Sequence, residues 1–249
     1  MKKLIIALSL AFALLFILGC QLVTINLPGE APVNEEPAAE PPVEAPVNTP
    51  ISEPTSPPSL QSGDLIFQTN FNDISGWRTE TKNDEARYTT ALRGDGLYVE
   101  VPSKNDYWKG YTPLDMNYSD VRIEADVELV GGTNFTYISL TCRSSDAGEY
   151  VFSLDTGGFW EIGKRTYSDN NTSYEILAAA PSTKIKVAKN PNHMTVICKA
   201  NNLALLINEK QVENVQDWDL TEGIVGIGVE TKDNPLSQVM FHNLEIYVR

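Results

Sequence analysis

From about residue 62 to the C-terminus, apolar residues recur at every second position. In DVRIEADVEL, Val121, Ile123, Ala125, Val127 and Leu129 share one side, and Arg122, Glu124, Asp126 and Glu128 the other. Side chains two apart in an extended strand point the same way. The pattern returns in GLYVEVP, TYISLTCR, EYVFSLD, FWEIGKR, YEILAA, HMTVICKA, LALLINEK, GIVGIGVE and QVMFHNLEIYV, while helical periodicity is almost absent. Turn formers separate the runs: GDG at 94–96, GG at 131–132 and 157–158, NN at 201–202 and KDNP at 232–235. Short strands at such even spacing predict an all-β domain, a two-sheet antiparallel β-sandwich or a closed barrel. HMTVICKA and LALLINEK, joined by asparagines that tolerate positive φ, read as a hairpin.

The chain before that domain is of two other kinds. Residues 1–19 open on MKK, continue with a largely apolar run free of charge and proline and end in small residues, the pattern of a secretory signal peptide. The ILGC ending resembles a bacterial lipoprotein lipobox, which implies that Cys20 is lipidated and becomes the mature N-terminus. Isoleucine at position 17 departs mildly from the leucine commonest there. An uncleaved transmembrane anchor is the alternative, because a run of about 18–20 apolar residues borders on spanning length. Both readings tether the chain to a membrane of the bacterial cell envelope, facing outside the cytoplasm.

Residues 20–61 read as a disordered Pro/Glu-rich stalk. Ten of the chain's 15 prolines lie between Pro28 and Pro58, with six glutamates and no lysine or arginine from Thr24 to Leu60. Such a composition cannot bury enough apolar surface to order itself. In polyproline-like extension it reaches on the order of 100 Å. Residues 62–249 remain as one domain with 17 basic and 27 acidic side chains, a formal charge of −10. That charge argues against nucleic acid and against direct docking on anionic lipid, so contact with the membrane is expected only through the anchor.

Cys142 and Cys198 both alternate with apolar neighbours and should point into the core. An exported pair suggests a disulfide, and two buried free thiols are the other reading. Neither makes them catalytic, because the chain's two histidines, His193 and His242, are not placed to activate them.

TNFNDISGW, DVRIEADVELVGG, LTCRSSDAGEYVFSLDTGGFWEIGK, HMTVICKANNLALLINEKQVENVQD and VGIGVE before VMFHNLEIYV occur in that order. Together they resemble the concanavalin A-like (laminin G-like) jelly roll, in particular the bacterial branch grouped with the 3-keto-disaccharide hydrolase-type domain of unknown function. The resemblance implies two curved antiparallel sheets whose concave face takes an extracellular or cell-wall glycan. Lectins, glucanases and adhesion modules share the fold, so the fold does not name the function.

Three functions follow as expectations. Glycan binding without cleavage rests on Tyr107, Trp108 and Tyr111 in NDYWKGY, read as an aromatic loop, because amphipathic rings suit sugar stacking. Arg143, sharing a face with Tyr137, Ser139 and Thr141, and Trp160 with Lys164 are expected to extend that surface. Glycoside hydrolysis rests on resemblance to the laminarinase-like E-x-D-x-E strand, with Glu124 as nucleophile, Glu128 as acid/base and Asp126 as orienter. Small residues at 125 and 127 depart from that pattern. The third expectation is a structural or protein-binding adhesion module. No cofactor is implied. A structural calcium is open from the acids of 83–85 or 217–219, which lack dense ligand spacing. Trp77 and Trp218 read as caps on the core.

Overall fold

The computed structural model describes residues 63–81, 89–114, 117–169, 171–232 and 236–248. Residues 1–62 lie outside these, so the signal peptide, Cys20 and the stalk stand as sequence expectations. The described residues form no helix and fifteen strands: β1 (Asp64–Thr69), β2 (Arg78–Thr81), β3 (Thr89–Arg93), β4 (Gly96–Val101), β5 (Tyr107–Tyr111), β6 (Val121–Gly132), β7 (Thr136–Ser145), β8 (Gly148–Asp155), β9 (Phe159–Ser168), β10 (Asn171–Pro181), β11 (Asn192–Lys199), β12 (Asn202–Ile207), β13 (Lys210–Gln216), β14 (Ile224–Thr231) and β15 (Ser237–Val248).

They make two antiparallel sheets packed face to face. Sheet I runs β13-β12-β11-β6-β15-β4-β3, and β1 also pairs with β15. Sheet II runs β10-β9-β8-β7-β14-β5-β2. A bulge lets β15 serve two partners. Its first half pairs with β4 and its second with β1, and Asn243 at the break has φ 49°.

Alternation places the core between the sheets. On β6, Val121, Ile123, Ala125, Val127 and Leu129 are all buried, and they face Ile138, Leu140, Phe152, Leu154 and Ile162 of sheet II in one cluster. A disulfide joins Cys142 on β7 to Cys198 on β11, so it stitches one sheet to the other through that cluster. NDYWKGY, expected as a loop, is mostly strand β5 at positions 107–111, between β14 and β2. Its alternation sends Trp108 inward.

Candidate functional site

The outward face of sheet II carries the richest chemistry. β5 contributes Tyr107, Lys109 and Tyr111; β7 contributes Tyr137, Ser139 and Thr141. β8 adds Glu149, Val151 and Ser153, β9 adds Glu161, Arg165 and Tyr167, and β10 adds Tyr174. The strand between β5 and β7 is β14, and its residues in register there are Gly226 and Gly228. A Cβ on Gly228 would lie 2.7 Å from Ser139 Oγ, and one on Gly226 2.8 Å from Thr141 Oγ1. These glycines leave a low floor across which long side chains can reach.

Lys109 and Glu149 use that floor. Their strands are three apart in the sheet, about 14 Å at the usual strand spacing. Yet Lys109 Nζ donates to Glu149 Oε1 at 2.6 Å. Arg165 donates to the same oxygen, as does the Tyr167 hydroxyl at 3.2 Å. The hydroxyls of Ser144 and Tyr111 donate to Oε2 at 3.3 and 3.4 Å. Glu149 is 0% exposed. Burial alone raises its pKa, but Lys109 and Arg165 outweigh it and hold the carboxyl below the usual glutamate value. Burial, and then the charge of Glu149, raise the pKa of both Tyr111 and Tyr167, so both stay protonated donors. Tyr107, held by Glu80 at 3.0 Å, is pushed up to about 12 by burial and that carboxylate.

This network divides the face. At the centre, between Tyr107, Tyr137, Arg165 and Tyr174, the open space is about 20 Å³, room for roughly one water. Beside it lies a recess of about 670 Å³ bounded by Arg78, Glu80, Tyr111, Asn117, Ser144, Asp146 and Tyr167, within the size range of small-ligand sites. Arg78 lies over the Tyr111 ring, its guanidinium carbon 4.5 Å from the centroid. The recess combines aromatic walls with a cation, two carboxylates, an amide and hydroxyls. With its pKa held below the usual glutamate value, Glu149 is ionised at neutral pH and accepts hydrogen bonds on both oxygens.

The residues singled out in the sequence fall differently. Tyr107 and Tyr111 do lie on this face. Trp108 does not, being 3% exposed within the core cluster. Trp160, 4% exposed, is likewise core, because it shares parity with Ile162. Lys164 shares that parity but emerges at the end of the sandwich. There its ammonium meets Asp219 at 2.6 Å, Asp217 at 2.8 Å and Glu175 at 3.1 Å. The acids of 217–219, considered as calcium ligands, thus enclose a lysine. Those of 83–85 lie outside the described residues.

Arg143 leaves the alternation of Tyr137, Ser139 and Thr141 at a bulge, where its own φ is 52°. Its 2%-exposed side chain donates to the carbonyls of Ser119, Ala200 and Leu220 at 2.6–2.9 Å. It is a clasp for three loops and does not reach the Glu124/Asp126 row.

That row lies on the opposite side of the molecule, on the outward face of sheet I. Glu124 is paired with Arg122. Asp126 is held by His193 Nδ1 at 2.8 Å and by Asn243 Nδ2 at 2.9 Å. Asp126 and Glu128 border one hollow with Asp95, Lys186, His193 and His242, away from the sheet II recess. The three carboxylates therefore share no surface with the tyrosine-lined recess.

Lys109, Glu149, Arg165 and Tyr167 were missed in the sequence. The available signal was parity. EYVFSLD and FWEIGKRTY each set a charged residue on the side opposite their apolar residues, but nothing local shows that these charges meet.

Two antiparallel sheets of this order, together with the solved structures that align with it, give the described domain a concanavalin A-like jelly-roll fold. Among solved structures, a carbohydrate-binding module CBM66 from Bacillus subtilis aligns at TM-score 0.51 and 16% identity, over 69% of this chain and 95% of its own. A Bacillus subtilis protein of unknown function with a galectin-like fold aligns at 0.57 and 12%, over 76% and 99%. A Bacteroides ovatus mixed linkage glucan GH16, in complex with a G4G4G3G product, aligns at 0.54 and 14%, over 72% and 99%. At such identities the likeness is one of fold. Neither protein-family models nor curated protein sequences gave a match.

Proposed function

We propose that this protein is a lipid-anchored, outward-facing lipoprotein of a bacterial cell envelope whose sandwich binds carbohydrate without cleaving it. The observation that carries the reading is the ligand-sized recess beside the Lys109–Glu149–Arg165 network. It offers the part-exposed Tyr167 ring and the Arg78 guanidinium, which covers the buried Tyr111 ring, next to fixed donors and acceptors. Sugars present both kinds of surface, apolar ring faces and hydroxyl edges. The fold neighbours, which include a carbohydrate-binding module and a GH16 protein with a glucan product, support that ligand class. Separation of the Glu124 row from the recess supports binding over hydrolysis. The acidic domain and the Pro/Glu spacer suit a module held off a membrane by Cys20, with no nucleic-acid partner.

The test is an array of neutral and acidic oligosaccharides probed with the protein and with Arg78→Ala and Asn117→Ala variants, both at the recess. Both side chains are exposed enough to be removed without unfolding the sandwich. Binding by the parent, weakened about tenfold in at least one variant, is expected, with no release of reducing sugar. An array with no bound glycan, or variants that bind like the parent, would overturn the assignment. Metabolic labelling with a fatty acid, lost in Cys20→Ala, checks the anchor.

A further inference from the structure

Three of the chain's four tryptophans pack into or against the core. The fourth, Trp218, expected as a cap, is instead 66% exposed. Its backbone is nevertheless fixed on both sides. Asp217 N donates to Asn201 O at 3.0 Å, and the Asp217 carboxylate takes hydrogen bonds from Tyr150, Lys164 and Asp219 N. Leu220 N donates to the Tyr150 hydroxyl at 3.1 Å, and Leu220 O accepts from Arg143 at 2.9 Å. The indole is thus held outward by anchored neighbours on either side, and it borders a recess of about 310 Å³ lined by Arg143, Ala200, Asn201 and Thr221. Arg143 also locks the 119, 200 and 220 backbones together beneath that recess.

We propose that Trp218 and this recess form a second carbohydrate-binding platform, at the loop end of the sandwich and separate from the outward face of sheet II. The indole stacks on one sugar ring, and Asn201 and Thr221 meet its hydroxyls. With the backbone fixed on both sides, only the two side-chain torsions of the indole need ordering on binding, which keeps the entropy cost small. The surroundings select the ligand class. The other large apolar side chains exposed among the described residues are Leu65, Phe135, Tyr174, Ile176 and Val187, none of them in these loops. The apolar patch is therefore one ring wide, too small for a protein hot-spot cluster. Asp217 and Asp219 flank the ring, and with Glu175 they outnumber the one lysine they enclose, which disfavours anionic lipid and acidic glycans and leaves a neutral sugar.

The inference rests on the carbohydrate reading above, and the same full-length protein tests both. The probe is an array of neutral oligosaccharides that includes hexamers of β-1,3- and β-1,4-linked glucose. Trp218→Ala is expected to weaken at least one bound glycan about tenfold, with Trp218→Tyr retaining most of the affinity. The Trp218-dependent signal should persist in an Arg78→Ala/Asn117→Ala variant of the sheet II recess. A melting temperature within about 2 °C of the parent marks the loss as one of contact, since exposed substitutions cost little stability. If Trp218→Ala binds every glycan as the parent does, the second platform is refuted while the sheet II face stands. If the sheet II variant abolishes all binding, Trp218 is no independent site. If the parent binds no glycan, both readings fall together.

Discussion

Replacing Glu149 by glutamine removes one charge and almost no volume, and its consequences can be worked out from its contacts. The wild-type carboxylate is fully buried and receives Lys109, Arg165 and three hydroxyls. Glutamine leaves Lys109 Nζ and the Arg165 guanidinium with a neutral partner, both still largely buried. Breaking a buried ion pair from one side costs about 3–5 kcal/mol, because the remaining charge is left uncompensated. For a domain of this length, each kcal/mol lowers Tm by about 2–4 °C, so a fall on the order of 10 °C is expected at pH 7.

The pH dependence follows from the sign of the shift. Against burial, which raises it, Lys109 and Arg165 hold the Glu149 pKa below its ordinary value. The stabilisation is then complete above the unfolded glutamate pKa of about 4.3 and is lost as pH falls through the lower folded value. Thermal melts followed by circular dichroism should show the wild-type advantage at pH 7, with the two proteins converging in the acid range. A Tm difference under about 2 °C at pH 7, or a difference that does not shrink with acid, would refute the view that this carboxylate organises the face.

Other outcomes follow from single contacts. Replacing Cys142 and Cys198 together by alanine opens a crosslink between residues 56 apart and should cost roughly 4 kcal/mol in urea denaturation, from loop-closure entropy. Gly228→Val places branched carbon where Ser139 Oγ already lies 2.7 Å from a built Cβ. It should force Ser139 and Lys109 apart and lower both Tm and glycan binding, by about 1–3 kcal/mol in stability. Arg143→Met strips three carbonyls of their donor. Its loss of about 3 kcal/mol should appear in hydrogen exchange as faster opening of the 119, 200 and 220 loops together.

Much of the architecture was legible in the chain itself, because a strand's alternation is local chemistry. The inward set Val121, Ile123, Ala125, Val127 and Leu129 could be read directly, and so could the inward direction of Cys142 and Cys198. Exceptions arose where alternation was read without its consequence or was broken. Trp160 shares parity with Ile162 and therefore had to be core, and Trp108 went inward because NDYWKGY is strand rather than loop. Arg143 left its row through a bulge with positive φ, an event set by the three carbonyls that its guanidinium satisfies. Trp218 reached solvent because Asp217 was claimed by Lys164 and Tyr150, partners 53 and 67 residues away.

The sequence by itself determined an all-β domain and which side chains share each strand face, since both depend on residues only two apart. Only the tertiary structure decided which strands are neighbours, and with that which charges meet. It put the Glu124 row on sheet I and brought Lys109 to Glu149 across the glycines of β14, a strand that begins 76 residues after β8 begins. Alternation records the face of a residue but carries no information about sheet order. The candidate site is made by that order.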